Sequence, residues 1–177
     1  MKRTLLVVDL QNGFMNDFTR HIPGTITRLI ERDAFDRLLF TRFVNKPNGP
    51  YPKMLGWSGV EQPPDTDIVS AMDRFLTEDN VFAKDGTAGI PSSLRDLLSE
   101  LAVETMTLVG VDTDMCVLKT AMDIFDMGIE PIIETDCCAS TAGLQAHLAG
   151  LSVLARNIGA NHLRHSGIGG PELGAPQ

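Results

Sequence analysis

Residues 105–140 constrain this chain more than any other stretch. They read as an apolar, β-rich run over 106–111, a polar stop at Asp112-Thr113-Asp114, a helical pattern ended by Gly128, and a second apolar run over 129–135. Strand, turn, helix and strand in that order build a parallel crossover, because two parallel strands need a long connection between them. Cys116 falls in the first turn of the helix. A cysteine there is either a packed small side chain or a nucleophile. The local pattern leaves both open.

The rest of the chain repeats the alternation. Residues 4–10 form an unbroken apolar run of strand length, as a strand buried on both faces requires, with Asp9 at its carboxyl end. The pattern predicts a helix over 25–32, a strand over 35–44 and a short helix over 67–76. A brief strand over 81–83 leads directly into Lys84. Residues 91–101 form an amphipathic helix, with apolar side chains at 94, 97, 98 and 101. A longer helix is expected over 140–158, capped by Ser140 or Thr141, and a last short strand over 160–165. This order predicts an α/β fold: a three-layer α-β-α sandwich around a mostly parallel, Rossmann-like sheet of five to six strands. One domain over 1–177 is expected, with the Gly- and Pro-rich segment 167–177 a loose tail or an arm in an oligomer. Residues 45–64 break the alternation. They hold five prolines and the chain's only Trp and Tyr, and so large a loop in a compact domain usually binds or covers a ligand.

Composition narrows the partners. A net charge of -8 without a basic cluster argues against nucleic acid or an anionic membrane. No apolar run is long enough to span a bilayer. The N-terminus passes from Met-Lys-Arg straight into a strand, unlike a signal peptide. The three cysteines are therefore expected to be reduced thiols in the cytoplasm. No CxxC or HxxxH spacing marks a zinc site.

Ligands of parallel sheets bind at the carboxyl ends of the strands. Asp9, Lys84 and Cys116 follow directly on three such ends. Together they suit acyl transfer: a thiol to attack, a carboxylate to carry its proton, an ammonium to hold the charges. A helix N-terminus and a nearby ammonium are expected to lower the thiol pKa. Neighbouring backbone N–H groups are placed to hold an oxyanion. Cys137 and Cys138 read as packing residues, and Asp136 as the organiser of the turn after it.

These residues lie in Val-Val-Asp-Leu-Gln-Asn-Gly-Phe (7–14), Phe-Ala-Lys (82–84), Gly-Val-Asp-Thr-Asp-Met-Cys-Val (110–117) with Thr120 and Ala121, and Glu-Thr-Asp-Cys-Cys-Ala-Ser (134–140). In these motifs the chain resembles the isochorismatase-like cysteine hydrolases, the superfamily of nicotinamidase and N-carbamoylsarcosine amidase, over roughly residues 4 to 165. The resemblance implies that Asp9, Lys84 and Cys116 are catalytic. It also implies a cis peptide between Val111 and Asp112, aiming the N–H of Asp112 with that of Cys116 at the oxyanion. Gln11, Phe14, Trp57, Thr87 and Met115 are the expected substrate-binding residues. Nicotinamidases carry an Asp-x-His metal motif after the second strand; here that place reads Thr41-Arg42-Phe43-Val44-Asn45, so neither a metal nor another cofactor is expected. The implied activity is cleavage of a C–N bond in a small amide or N-carbamoyl compound through a thioester, with a homo-oligomeric enzyme as the expected assembly. The alternatives are hydrolysis of the isochorismate vinyl ether, and a binding or redox-sensing protein that has lost hydrolysis.

Overall fold

The computed structural model describes residues 2–84 and 89–168. The expected substrate-binding residue Thr87 and most of the 167–177 tail lie outside them. Six strands form one sheet in the order β3-β2-β1-β4-β5-β6, every neighbouring pair parallel. They are β1 (Thr4–Val8), β2 (Arg37–Phe43), β3 (Val81–Lys84), β4 (Thr105–Val111), β5 (Glu130–Ala139) and β6 (Leu163–Arg164). The helices are α1 (Ile22–Arg32), α2 (Ser92–Glu100), α3 (Leu118–Asp126) and α4 (Leu144–Leu154).

The three layers follow from side-chain alternation along β1. Leu5 and Val7 point to the α1 side and pack with Ile22, Ile26 and Leu29. Leu6 and Val8 point the other way, into a core with Leu94 and Leu98 of α2, Ala121 and Ile124 of α3, and Leu154 of α4. All five residues of β1 are buried, which explains why its sequence lacks a polar alternation. β1 pairs with β2 on one side and β4 on the other. The chain winds outward from β1 to β3, then crosses to β4. The winding direction therefore reverses between β1 and β4, and the crevice at their carboxyl ends is where such sheets take ligands.

Several boundaries differ from the sequence reading. β1 stops at Val8 because Asp9 turns into the left-handed region, with φ 46°. The short helix expected over 67–76 is a 3-10 helix over Ser70–Phe75. β5 runs on to Ala139, past the expected end at 135, after a register shift against β4 between Leu108 and Gly110. α4 begins at Leu144 behind Gly143. Neither Ser140 nor Thr141 caps it: Ser140 Oγ accepts the Ala142 N–H, and Thr141 bonds Asp112 instead. Cys137 and Cys138 are free and buried in the two opposite cores. Asp136 accepts hydrogen bonds from Ser166 and from the N–H of Ile168, so it ties down the segment after β6 and not the turn that follows Asp136 in sequence, which it was expected to organise.

Gly110 decides how closely β4 approaches β1 at the level of Asp9. Its φ is 122°, and a Cβ there would stand 2.1 Å from the Val8 carbonyl oxygen. Both the backbone conformation and the contact exclude a larger residue. Gly110→Ala should lower stability by about 2–4 kcal/mol, read as a reduced midpoint in urea by circular dichroism.

Candidate active site

Three strand ends bring the polar centre together. Asp9 follows β1, Thr41 lies near the end of β2, and Lys84 closes β3. All three are buried. Lys84 Nζ stands 2.7 Å from Asp9 Oδ2, with side chains 1% and 0% exposed. The contact is chiefly Coulombic, since neither atom has a well-aligned hydrogen bond. Thr41 holds the other side of the carboxylate: its hydroxyl accepts the Asp9 N–H at 3.1 Å and donates to Oδ1 at 2.7 Å. One threonine thus fixes both the left-handed backbone of Asp9 and the direction of its carboxylate. Burial pulls the Lys84 ammonium down, but Asp9 and Cys116 outweigh it, and the net shift is upward.

β4 delivers the thiol. After Val111 the chain makes a cis peptide to Asp112, as the resemblance implies. One π-helical turn, Thr113–Val117, leads into α3. The Asp112 carbonyl accepts the N–H groups of Met115 and Val117. The Asp112 carboxylate takes the Thr141 N–H at 2.6 Å and the Thr141 hydroxyl at 2.7 Å. Burial raises its pKa while these bonds oppose the rise. From outside, α4 clamps the turn. A Cβ on Gly150 would lie 2.8 Å from the Asp114 backbone, and His147 Nδ1 meets the Thr113 hydroxyl at 2.8 Å.

Cys116 is half-buried, close enough to Asp9 and Lys84 for their charges to act on its thiol. Its thiol is pushed up to about 12, first by burial and next by the charge of Asp9; Lys84 opposes this and does not overcome it. The lowered pKa expected from sequence is therefore reversed. The resting centre pairs carboxylate with ammonium and keeps the proton on sulfur.

In front of the thiol opens a cavity of about 390 Å³. Phe14, Trp57 and Met115 line it, as expected, and so do Asp112 and Cys116. Asp9 and Lys84 are not in its wall: they stand behind the thiol. Gln11 is absent from the wall as well. It is wholly buried, and its side-chain amide donates to the carbonyls of Phe43 and Thr66 while accepting the Phe43 N–H. That amide acts as a strut between the ends of β1 and β2 rather than as a ligand contact.

Phe43 and Tyr51 are wall residues that sequence reasoning missed. With Phe14 and Trp57 they make one aromatic face, with ring centroids 5.5–6.5 Å apart. The 45–64 loop therefore covers this chain's own cavity. Asn45 holds it in place, donating to the carbonyls of Trp57 and Gly59. The segment that stands where nicotinamidases carry a metal motif thus spends Phe43 on the wall and Asn45 on the loop.

The chain is similar in sequence and in fold to known proteins. The family model described as "Isochorismatase domain" matches residues 3–164. Nicotinamidase 3 of Arabidopsis thaliana is 26% identical over 158 residues, covering 85% of this chain and 79% of that protein. Isochorismatase domain-containing protein 2 of Rattus norvegicus is 29% identical over 79 residues, covering 45% of this chain and only 33% of that protein's length. Among solved structures, the pyrazinamidase/nicotinamidase from Streptococcus mutans superposes with a TM-score of 0.73 at 23% identity, covering 90% of this chain and 98% of that one. N-carbamoylsarcosine amidase from Thermoplasma acidophilum gives 0.71 at 18%, covering 99% and 100%. At these identities the structures share the fold.

The thiol's protonation is open to direct test. In the intact protein, iodoacetamide should alkylate Cys116 with a midpoint well above the ordinary thiol value of about 8.5. Asp9→Asn removes a charge that raises the thiol pKa and leaves the lysine that lowers it, so the midpoint should fall. A midpoint that stays or rises in this variant would contradict the assignment of cause.

Proposed function

The chain belongs to the isochorismatase domain family, and from that premise we propose that it is a cysteine hydrolase cleaving the C–N bond of a small amide through a thioester. The observation that carries this reading is the convergence of Asp9, Lys84 and Cys116 from three separate strand ends, with Cys116 in the wall of a ligand-sized cavity.

The steps follow from the resting protonation. A thiol at about 12 is a poor nucleophile by itself, so attack and proton transfer belong to one event. As Sγ bonds to the substrate carbonyl carbon, its proton passes to Asp9. The negative charge moves to the carbonyl oxygen, held by the N–H groups of Asp112 and Cys116 in the cavity wall. Collapse breaks the C–N bond, and Asp9 hands the proton to the departing nitrogen. Water then attacks the thioester. Asp9 takes a proton from it, the acid leaves, and the proton returns to sulfur. Lys84 balances Asp9 while it is a carboxylate. Thr41 is a positioning residue: it touches neither substrate nor sulfur, and by holding Oδ1 it leaves Oδ2 of Asp9 facing Lys84.

Intact-mass analysis of protein mixed with a substrate amide should show an acyl adduct that maps to Cys116. Cys116→Ala should lose the adduct and lower kcat by roughly 10⁴-fold or more; full activity in that variant would sink the mechanism. Thr41→Val keeps the shape and removes both hydrogen bonds. It should lower kcat by about 10–100-fold with little change in KM, while Thr41→Ser stays near the parent rate. A purely structural threonine would instead lose thermal stability without this split.

A further inference from the structure

Three consecutive residues at the start of the turn that presents Cys116 are tied to one outer element, α4 and the residues leading into it. The Asp112 carboxylate takes the N–H and the hydroxyl of Thr141. Thr113 Oγ1 lies 2.8 Å from His147 Nδ1. The Asp114 backbone packs on Gly150, where a Cβ would come within 2.8 Å of it.

The middle tie has a direction, and the proton on the ring sets it. Thr113 is wholly buried, and His147 is the one hydrogen-bond partner of its hydroxyl among the described residues. If Nδ1 carried a proton, it would donate to Oγ1 and strand the hydroxyl hydrogen in a buried site, at the cost of an unmade hydrogen bond. With Nδ1 bare, the threonine donates and the ring keeps its proton on Nε2. The ring also lines a second cavity of about 370 Å³, beside Asp17, His21 and Asp136. Burial lowers the His147 pKa; Asp114 opposes the fall and His21 adds to it. The ring is therefore neutral at about pH 7 and able to accept.

We propose that His147 is a positioning residue for the nucleophile turn: by accepting the Thr113 hydroxyl proton it fixes where the turn places the Cys116 sulfur. This deepens the cysteine-hydrolase reading and rests on it for the consequence in catalysis. Without the tie, a buried hydroxyl has no acceptor and the turn is free to shift towards water. The sulfur then leaves the burial and the Asp9 charge that keep it protonated. Its pKa falls towards the ordinary thiol value of about 8.5, and the N–H groups of Asp112 and Cys116 move with it.

Asparagine and glutamine separate this role from packing alone. In His147→Asn the side-chain oxygen falls where Nδ1 stands. In His147→Gln the amide lies near the place of Nε2, beyond the Thr113 hydroxyl. Thr113→Val keeps the shape and removes the donated proton. The intact chain and the three variants are labelled with iodoacetamide at about pH 8.5, and the sites are read by peptide mass, with no substrate present. His147→Gln and Thr113→Val should label Cys116 about tenfold faster than the parent, since one unit off the thiol pKa gives ten times the thiolate. His147→Asn should stay near the parent rate. Cys137 and Cys138, buried in the two cores, should stay unlabelled throughout. A parent-like rate in either fast variant, or an Asn variant as fast as the Gln one, overturns the inference. So does labelling of Cys137 and Cys138 together with Cys116, which marks general loosening. The acyl adduct on Cys116 is read separately: its absence beside the expected labelling order would sink the hydrolase reading and leave the placement of the sulfur standing.

Discussion

The buried contact between Lys84 and Asp9 is the constraint the rest of the site answers to. Two charges 2.7 Å apart with almost no exposure are a weak device for stability. Desolvation consumes most of the attraction, and an apolar pair of similar volume often does as well or better. Losing either partner leaves the other charge stranded, at a cost of about 3–5 kcal/mol. The pair demands a rigid surround, and the fold supplies it. Central β1 and edge strand β3 carry the two charges, and β2 between them carries Thr41 to hold the carboxylate. The fourth strand end then brings a thiol within reach of both charges. A left-handed Asp9 at the head of this arrangement fits the tendency of backbone strain to gather at functional sites.

The same pair sets the state of the sulfur. A helix N-terminus and an ammonium favour a thiolate, yet burial and the carboxylate favour the thiol, and the second group prevails. A thiol that stays protonated until a carbonyl arrives resists adventitious alkylation and oxidation. In the proposed reaction, the proton needed by the leaving nitrogen is then already inside the site. In that reaction an apolar wall would keep water from the reacting groups, where each charge acts at greater strength.

The sheet, its parallel order and the placing of Asp9, Lys84 and Cys116 at three strand ends were legible because they rest on local periodicity and on side chains with few alternative roles. Asp9, Lys84 and Cys116 stood out in that way. Thr41 did not, although the 41–45 segment drew attention for what it lacked. Its role depends on β1 and β2 register, which places its hydroxyl beside Asp9, and nothing local to residue 41 encodes that. Phe43 and Tyr51 read as core and loop until the 45–64 segment folded over the cavity. Gln11 illustrates the converse. A polar residue two positions from Asp9 invites a ligand role, but its amide is consumed by the backbone of Phe43 and Thr66. The start of α4 was misplaced for a related reason: Thr141, a good cap by composition, is spent on Asp112. The thiol pKa came out reversed because desolvation is a property of the packed site, and no motif reports it.

The central claim is that the resting site keeps its proton on Cys116 beside an ionised Asp9–Lys84 pair. The most direct measurement is the infrared S–H stretch of the intact protein at neutral pH, assigned by difference against Cys116→Ala. The account predicts a band that disappears in the variant and in protein alkylated on Cys116. No difference between the parent protein and Cys116→Ala would mean that the resting sulfur is a thiolate, and would contradict it.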